Sequence, residues 1–369
     1  MFVLGLAFSP VEGYNGEKNQ SKGDEDEMKF AIGYQMRPTT DFIERILHYK
    51  ERVYEVYFSF GDMPNGRHRQ TEGSDLLPHE ITQRQLSDLS LLADGNIPLN
   101  LLFNAACYGK DTASRAFFVK IGNTVDYLAS HLPLRSITTT SPLIAKFIKE
   151  NFPLLSVRAS VNMEIGTPEG MDYLADRFDS FYVKRELNRD FAALRRLKSY
   201  ADANGKELLM LANSGCLNYC SSHVFHDNMV AHESEVMAMD NAYDYRGTCW
   251  EYLKNEEKRH VLVQGTNYVR PEDIHLYEGL VVAAKLATRV NRSPIRVLEA
   301  YMNGKHLGSV CDLLEPNHSG AIYPSFLDNS LFPADFATRV GNCDKRCENC
   351  GYCKEVYKNA TIKLEDDPC

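Results

Sequence analysis

Residues 213–233, NSGCLNYCSSHVFHDNMVAHE, bring two cysteines and three histidines into one short stretch. Cys216-x3-Cys220 sets two soft thiolates within reach of one ion, and Cys249 returns from further along the chain. Thiolate-rich sites select zinc or iron–sulfur clusters over hard cations. A zinc protease needs His-Glu-x-x-His, which stacks two imidazoles on one helical face beside a base. Here His232-Glu233 is followed by Ser234, Glu235 and Val236, so the second imidazole is missing. No Gly-x-Ser-x-Gly elbow occurs. A Cys/His dyad stays open, because its partners need not be neighbours in sequence. The bland alternative is a pair of inert buried cysteines and histidines that serve as hydrogen-bonding loop residues.

A second thiol cluster lies near the C-terminus. Cys343-x3-Cys347-x2-Cys350-x2-Cys353 places four cysteines within eleven residues, with Gly351 permitting a tight turn. Burial alone does not explain that density, and metal binding does. Zinc and a second cluster are both compatible with the spacing. Lys345 and Arg346, inside the motif, would offset thiolate charge.

Elements must hold these groups in place. From Met28 the chain alternates short β-branched or aromatic runs with amphipathic stretches. Strands are expected at 29–34, 54–60, 98–104, 136–139, 154–160, 179–184, 207–213 and 280–288. Helices are expected at 41–52, 80–93, 119–131, 142–151, 168–178 and 188–204, with another at 294–303. Thr-Thr-Ser-Pro (139–142) and Gly-Thr-Pro-Glu (166–169) each offer an N-cap hydroxyl followed by an N1 proline. Strand-then-helix repeated this often implies parallel strands with right-handed crossovers. Eight strands fit a TIM-like (β/α)8 barrel, and a doubly wound open sheet is the competing fold. About 65 residues separate strands seven and eight. They leave from the C-terminal end of strand seven, the face on which barrel active sites are built. Three segments follow from this reading. Residues 1–27, glycine-rich and acidic, form a disordered N-terminal extension. Residues 28–305 form the barrel, with an insertion at 213–270. Residues 306–369 form a C-terminal extension with the Cys-rich motif.

Bulk composition narrows the function. The chain has 369 residues, 44% of them hydrophobic, and a net charge of −9. An acidic surface repels phosphate backbones, which argues against DNA and against broad RNA binding, though a local basic groove stays open. No apolar run reaches the ~20 residues of a membrane helix. The short apolar start lacks a basic flank, so a cytoplasmic location is expected, where clustered thiols bind metal more often than they form disulfides.

Four stretches resemble peptidase family U thirty-two, the collagenase-like peptidases, and within it a divergent iron–sulfur branch related to prephenate-dependent hydroxylases. Cys216-x3-Cys220 with His226-x-Asn228 and His232 is similar to that branch's cysteine–histidine block, with Ser221 where proline usually follows. Tyr182-Val183-Lys184-Arg185-Glu186-Leu187 resembles a family strand ending in Arg-Glu-Leu. Tyr268-Val269-Arg270-Pro271-Glu272-Asp273 resembles its Arg-Pro-Glu-Asp stretch. Ala284 through Arg289 resembles its last barrel strand, with Ala287 replacing a glycine. The likeness covers most of residues 28–355.

The resemblance implies a TIM-like barrel and a 4Fe-4S cluster on Cys216, Cys220 and Cys249. A fourth ligand is not evident; Cys311, Cys107 or a tail cysteine could complete the set. It also implies oxygen-independent hydroxylation of an RNA base or an aromatic small molecule, with prephenate as oxygen donor. Arg185, Arg270, Lys285 and Arg289 are the candidates for holding a small anionic molecule, since guanidinium forks suit carboxylates. Glu186 and His226 are the acid/base candidates. An RNA substrate would need a basic face drawn from Arg185, Arg195, Arg196 and Lys198. The rival functions are an Fe–S or zinc-binding scaffold acting with a protein partner, and a true peptidase. The rival role for the charged residues is a structural ion-pair network around the rim.

Overall fold

The computed structural model describes residues 27–66 and 76–364. The segment 1–26, read above as a disordered extension, and Cys369 lie outside the described residues. Eight parallel strands close into a barrel in sequence order: β1 (Phe30–Gly33), β2 (Val53–Phe58), β3 (Leu99–Phe103), β4 (Leu134–Thr139), β5 (Ser156–Ala159), β6 (Ser180–Tyr182), β7 (Glu207–Leu211) and β8 (Ala283–Leu286). β8 returns to β1 with Lys285 opposite Ala31, and to β7 with Lys285 opposite Leu211. The closed barrel replaces the open sheet as the fold.

The crossover helices are α1 (Asp41–His48), α2 (Pro78–Asp94), α3 (Arg115–Ala129), α4 (Pro142–Asn151), α5 (Pro168–Asp172) and α6 (Phe191–Ala203). Ser141 Oγ accepts from the Ile144 N–H at 3.2 Å, and Thr167 Oγ1 from the Gly170 N–H at 3.1 Å. Both caps precede an N1 proline, as the sequence suggests. α5 is shorter than its pattern, because after Asp172 the chain continues as hydrogen-bonded turns to Arg177.

Period-two alternation divides the strand side chains. Phe30, Ile32, Val56, Phe58, Leu101, Ile137, Val157, Phe181 and Met210 belong to the large apolar core. Tyr57, Leu102, Tyr182, Leu209 and Ala283 fall into two smaller clusters on the other face, inside the barrel. That interior also holds charge. Arg158 Nη2 lies 3.0 Å from Glu55 Oε2, and Arg158 Nη1 donates to Ser180 Oγ at 2.9 Å. Ser136 Oγ donates to the same Glu55 oxygen at 3.1 Å and in turn accepts from Asn100 Nδ2 at 2.6 Å. Thr138 Oγ1 donates to Asn100 Oδ1 at 2.9 Å. Burial pushes the Glu55 carboxyl up, while Arg158 and the Ser136 hydroxyl pull it back.

The connection between β7 and β8 folds as α7 (His223–Ala231), α8 (Glu233–Met237), α9 (Thr248–Lys254) and α10 (Val261–Gln264). After β8 come α11 (Pro294–Met302), α12 (Ser319–Ile322), β9 (Ser325–Leu327), α13 (Phe336–Gly341), α14 (Tyr352–Ala360) and β10 (Thr361–Lys363). Leu253, Leu262, Val263 and Tyr268 from the connection share one apolar cluster with Cys311, Ile322, Leu327, Phe336 and Val356 from the tail. The two segments therefore pack together as one lobe. No described helix is long and apolar enough to cross a membrane.

Removing one partner of a buried ion pair strands the other charge, at a cost of about 3–5 kcal/mol. Glu55→Gln and Arg158→Met should each lower stability by that order in urea denaturation. A loss under about 1 kcal/mol would mean that the interior layer does not depend on the pair.

Candidate functional site

Strand ends and loops at the C-terminal mouth build a cavity of about 60 Å3. Its wall includes Tyr57, Asn104, Asn162, Arg185, Cys216, Asp227, Lys285 and Arg289. By the volume one water requires, it has room for about four waters or a small carboxylate. Beside it opens a vestibule of about 520 Å3, which shares Asn162 and Asp227 with the inner cavity.

Lys285 is 7% exposed, with Nζ 4.1 Å from the centroid of the Tyr57 ring and 5.2 Å from that of Tyr182. Burial lowers its pKa to about 7; Arg289 and Arg185 push the same way, against Glu55. Arg289 follows β8 and reaches Asn65 Oδ1 at 3.2 Å. Gly33 makes room for this arrangement. A Cβ there would stand 2.7 Å from the Tyr57 hydroxyl and 2.8 Å from Arg289 Cγ.

Arg185 opens a 3-10 turn, Arg185–Arg189, after β6. Its Nη2 donates to Asn162 Oδ1 at 2.6 Å, and its Nη1 touches His223 Nε2. His223 Nδ1 lies 2.8 Å from Glu164 and its Nε2 3.1 Å from Asp227, one turn along α7. The hydrogen bond to Asp227 raises the His223 pKa against burial and against Arg185. Glu164 and Asp227 both favour the charged imidazole, and Arg185 opposes it.

The thiols sit at the edge of this mouth. Asn213 ties the end of β7 to Ala287 and to Leu313 O (2.8 Å), and Gly215 N–H donates to Glu315 O at 2.9 Å. These bonds fix Cys216 in the cavity wall. Cys249 lies in the first turn of α9. Burial, then the charges of Cys216 and Cys220, push its thiol up to about 11. Cys249 thus lies within electrostatic reach of Cys216 and Cys220. His226 joins them: a Cβ on Gly247 would meet Cys249 Sγ at 3.5 Å and His226 Cε1 at 3.6 Å. In the tail, burial raises the Cys353 pKa, Arg189 lowers it, and the charges of Cys347, Cys343 and Cys350 raise it further. Among the described residues no three His, Cys, Asp or Glu side chains converge closely enough to hold a metal ion.

The mouth thus gathers Arg185, Lys285, Arg289 and Cys216 from the expected set. Two others point elsewhere. Successive residues of a 3-10 turn are about 120° apart. Glu186 therefore turns away from Arg185 and lies 3.9 Å from Lys184, lining neither cavity. Arg270 is buried beneath the tail, 2.7 Å from Asp273, with Phe332 and Phe336 stacked on its guanidinium. It joins barrel to lobe and is not at the mouth. Cys311 is buried in the lobe core, and Cys107 pairs with His232. Arg195 and Arg196 lie exposed on α6, and Lys198 pairs with Asp202 at 2.5 Å. They do not line the mouth with Arg185. Sequence reasoning does not single out His223, although its i,i+4 spacing to Asp227 on a helix is the available signal.

No protein-family model matches the chain. Over 273 residues it is 24% identical to the uncharacterized protease MJ1657 of Methanocaldococcus jannaschii, spanning 72% of this chain and 77% of that one. The solved structure of the U32 peptidase Mk0906 superposes with a TM-score of 0.51 at 14% identity, over 74% of this chain and 97% of that one. Muconate lactonizing enzyme from Pseudomonas putida matches with a TM-score of 0.34 at 13% identity, over 54% of this chain and 51% of that one, a likeness that bears no argument. Fold and mouth together define a (β/α)8 barrel with a cationic pocket beside clustered thiols. The superposition on the U32 peptidase structure shows that the two chains share this barrel fold.

Lys285 ties stability to pH. Folded, it releases its proton at about pH 7; unfolded, at the ordinary lysine value of 10.5. Between these values the unfolded chain binds more protons, so stability rises with pH. Lys285→Met should be more stable than the parent below pH 7, and that advantage should shrink as pH climbs toward 10. Urea denaturation at several pH values reads this, and a pH-independent difference would refute it.

Proposed function

We propose that this chain is an iron–sulfur enzyme that carries out oxygen-independent hydroxylation, with a small anionic molecule bound at the barrel mouth. One observation carries the reading. Arg185, Lys285 and Arg289 line a cavity whose wall also includes Cys216. Arg185, Lys285 and Arg289 outnumber Asp227 and Glu315 in that wall, which favours a carboxylate that two guanidinium forks can grip. The resemblance of the cysteine block to that of prephenate-dependent hydroxylases supports the same assignment, with prephenate as the candidate donor.

The donor set fits a cluster. Burial and the charges of Cys216 and Cys220 raise the Cys249 pKa, and a bound cation would reverse that sense and favour the thiolate. His226, beside Cys249, stays the acid/base candidate nearest these thiols. A bound cluster would supply one-electron chemistry beside the cavity. The chain's own residues do the rest. Arg185 and Arg289 orient the anion. Lys285 gives or takes a proton near neutral pH. His223, held by Glu164 and Asp227, is the second acid on the rim. The larger vestibule has room for the aromatic compound or the unstacked RNA base to be hydroxylated. The tail thiols are assigned a second cluster or a zinc, with Lys345 lowering the Cys347 pKa against burial and neighbouring thiols.

Iron and acid-labile sulfide on anaerobically purified protein test the first half. Both should be present, and both should fall in Cys216→Ala/Cys220→Ala while surviving in Cys347→Ala/Cys350→Ala. Zinc without sulfide would remove the hydroxylase and leave a scaffold.

Calorimetry with malonate tests the second half. Affinity should be greatest below pH 7 and decline above it as Lys285 loses charge, and Arg289→Ala should weaken binding roughly tenfold or more. Binding that is indifferent to both would exclude the mouth as an anion site.

A further inference from the structure

The vestibule holds a group that the proposed reaction does not use. Cys107 lies in its wall, just after β3. Its Sγ accepts the Gly109 N–H at 3.3 Å, and the loop can aim that N–H because Gly109 takes φ +70. His232, between α7 and α8, hydrogen-bonds the thiol. Its ring stands beside the same loop, with Cε1 3.9 Å from the position of a Cβ on Gly109. His232 Nδ1 is engaged by Glu235 Oε2 at 2.9 Å, which leaves Nε2 for the sulfur. A nucleophile, a base behind it and a carboxylate orienting the base form the constellation of covalent acyl transfer.

We propose that Cys107, His232 and Glu235 form a second catalytic site, in which the Cys107 thiolate attacks the carbonyl carbon of an ester or amide bound in the vestibule. The new C–S bond forms as the C–O or C–N bond breaks. His232 Nε2–H passes its proton to the leaving alcohol or amine. Water then adds to the thioester, releasing the carboxylic acid, and its second proton returns to His232 as the thiolate re-forms. No oxidant, reductant or metal enters, so the site is independent of the iron–sulfur reading.

The electrostatics agree with this geometry. The hydrogen bond to His232 lowers the Cys107 pKa, and the thiol and Glu235 raise that of His232. The charges acting on the pair are its own and that of Glu235; the adjoining turn contributes the Gly109 N–H rather than the Lys110 or Asp111 charges. The vestibule wall also selects substrate. It carries Glu164, Asp227 and His223 but no lysine or arginine. An uncharged or amine-bearing acyl compound fits there, whereas the anion belongs in the inner cavity.

Alkylation of the full chain by iodoacetamide, followed by peptide mapping, tests the nucleophile. An ordinary thiol of pKa about 8.5 gains roughly 50-fold in thiolate between pH 6.5 and 8.5. Cys107 should change by less than about tenfold, and at pH 6.5 it should outpace every other cysteine. His232→Gln should restore the steep profile. Glu235→Gln, an exposed change that leaves the fold alone, should restore part of it. p-Nitrophenyl acetate should then give a burst of one nitrophenolate per chain, with the acetyl group on Cys107 and no burst in Cys107→Ser. A Cys107 profile as steep as its neighbours' overturns the activated pair. A flat profile without acetyl transfer overturns the acyl chemistry.

Discussion

The rest of the structure depends on charge buried inside a barrel that could have been filled with hydrocarbon. Arg158 and Glu55 neutralise each other, and Ser136, Asn100, Thr138 and Ser180 take up the remaining hydrogen bonds. An unpaired ion there would cost several kcal/mol, so the layer holds only when all its members are present. Lys285 lies in the same interior, facing Tyr57 and Tyr182, where burial and the charges of Arg289 and Arg185 outweigh that of Glu55. Its ammonium is therefore poised near neutrality. A polar interior of this kind makes the mouth a reactive place before any ligand arrives.

Much of the fold was legible because strands buried on both faces read as short apolar runs, and the serine or threonine before each N1 proline marks where a helix begins. Strand ends were less so. Pro98 and Asn104 flank β3 with residues equally at home in a loop, and only the barrel's register decides where pairing stops. The side chains that line the mouth were legible where they lie on or next to strands, as Lys285 and Arg289 do. They were not where a 3-10 turn sets direction, as between Arg185 and Glu186. Nor does sequence reveal that Arg270 would be covered, since Phe332 and Phe336 come from the distant tail. The pairing of Cys107 with His232 is likewise a product of the tertiary fold, because nothing local connects a loop after β3 to the junction of α7 and α8.

The mouth separates charge into two compartments. The inner cavity presents cations, and the vestibule presents carboxylates around one imidazole. Asp227 belongs to both, and through His223 and Arg185 it couples them. A ligand that neutralises Arg185 would alter the field at His223, and so the acidity of the outer rim. Cys216 stands in the wall of the inner cavity and Cys107 in that of the vestibule.

The lobe shared by the β7–β8 connection and the tail has a consequence for how the molecule is made. Cys216 is pinned by Asn213 and by Glu315, and α9, which carries Cys249, packs on α12. Those tail residues leave the ribosome after the barrel strands, at a synthesis rate of roughly 5–20 residues per second. While the barrel strands are emerging, the segment bearing the three thiols has no surface to settle on. The three cysteines therefore take their final places only after both the barrel strands and these tail residues have been made.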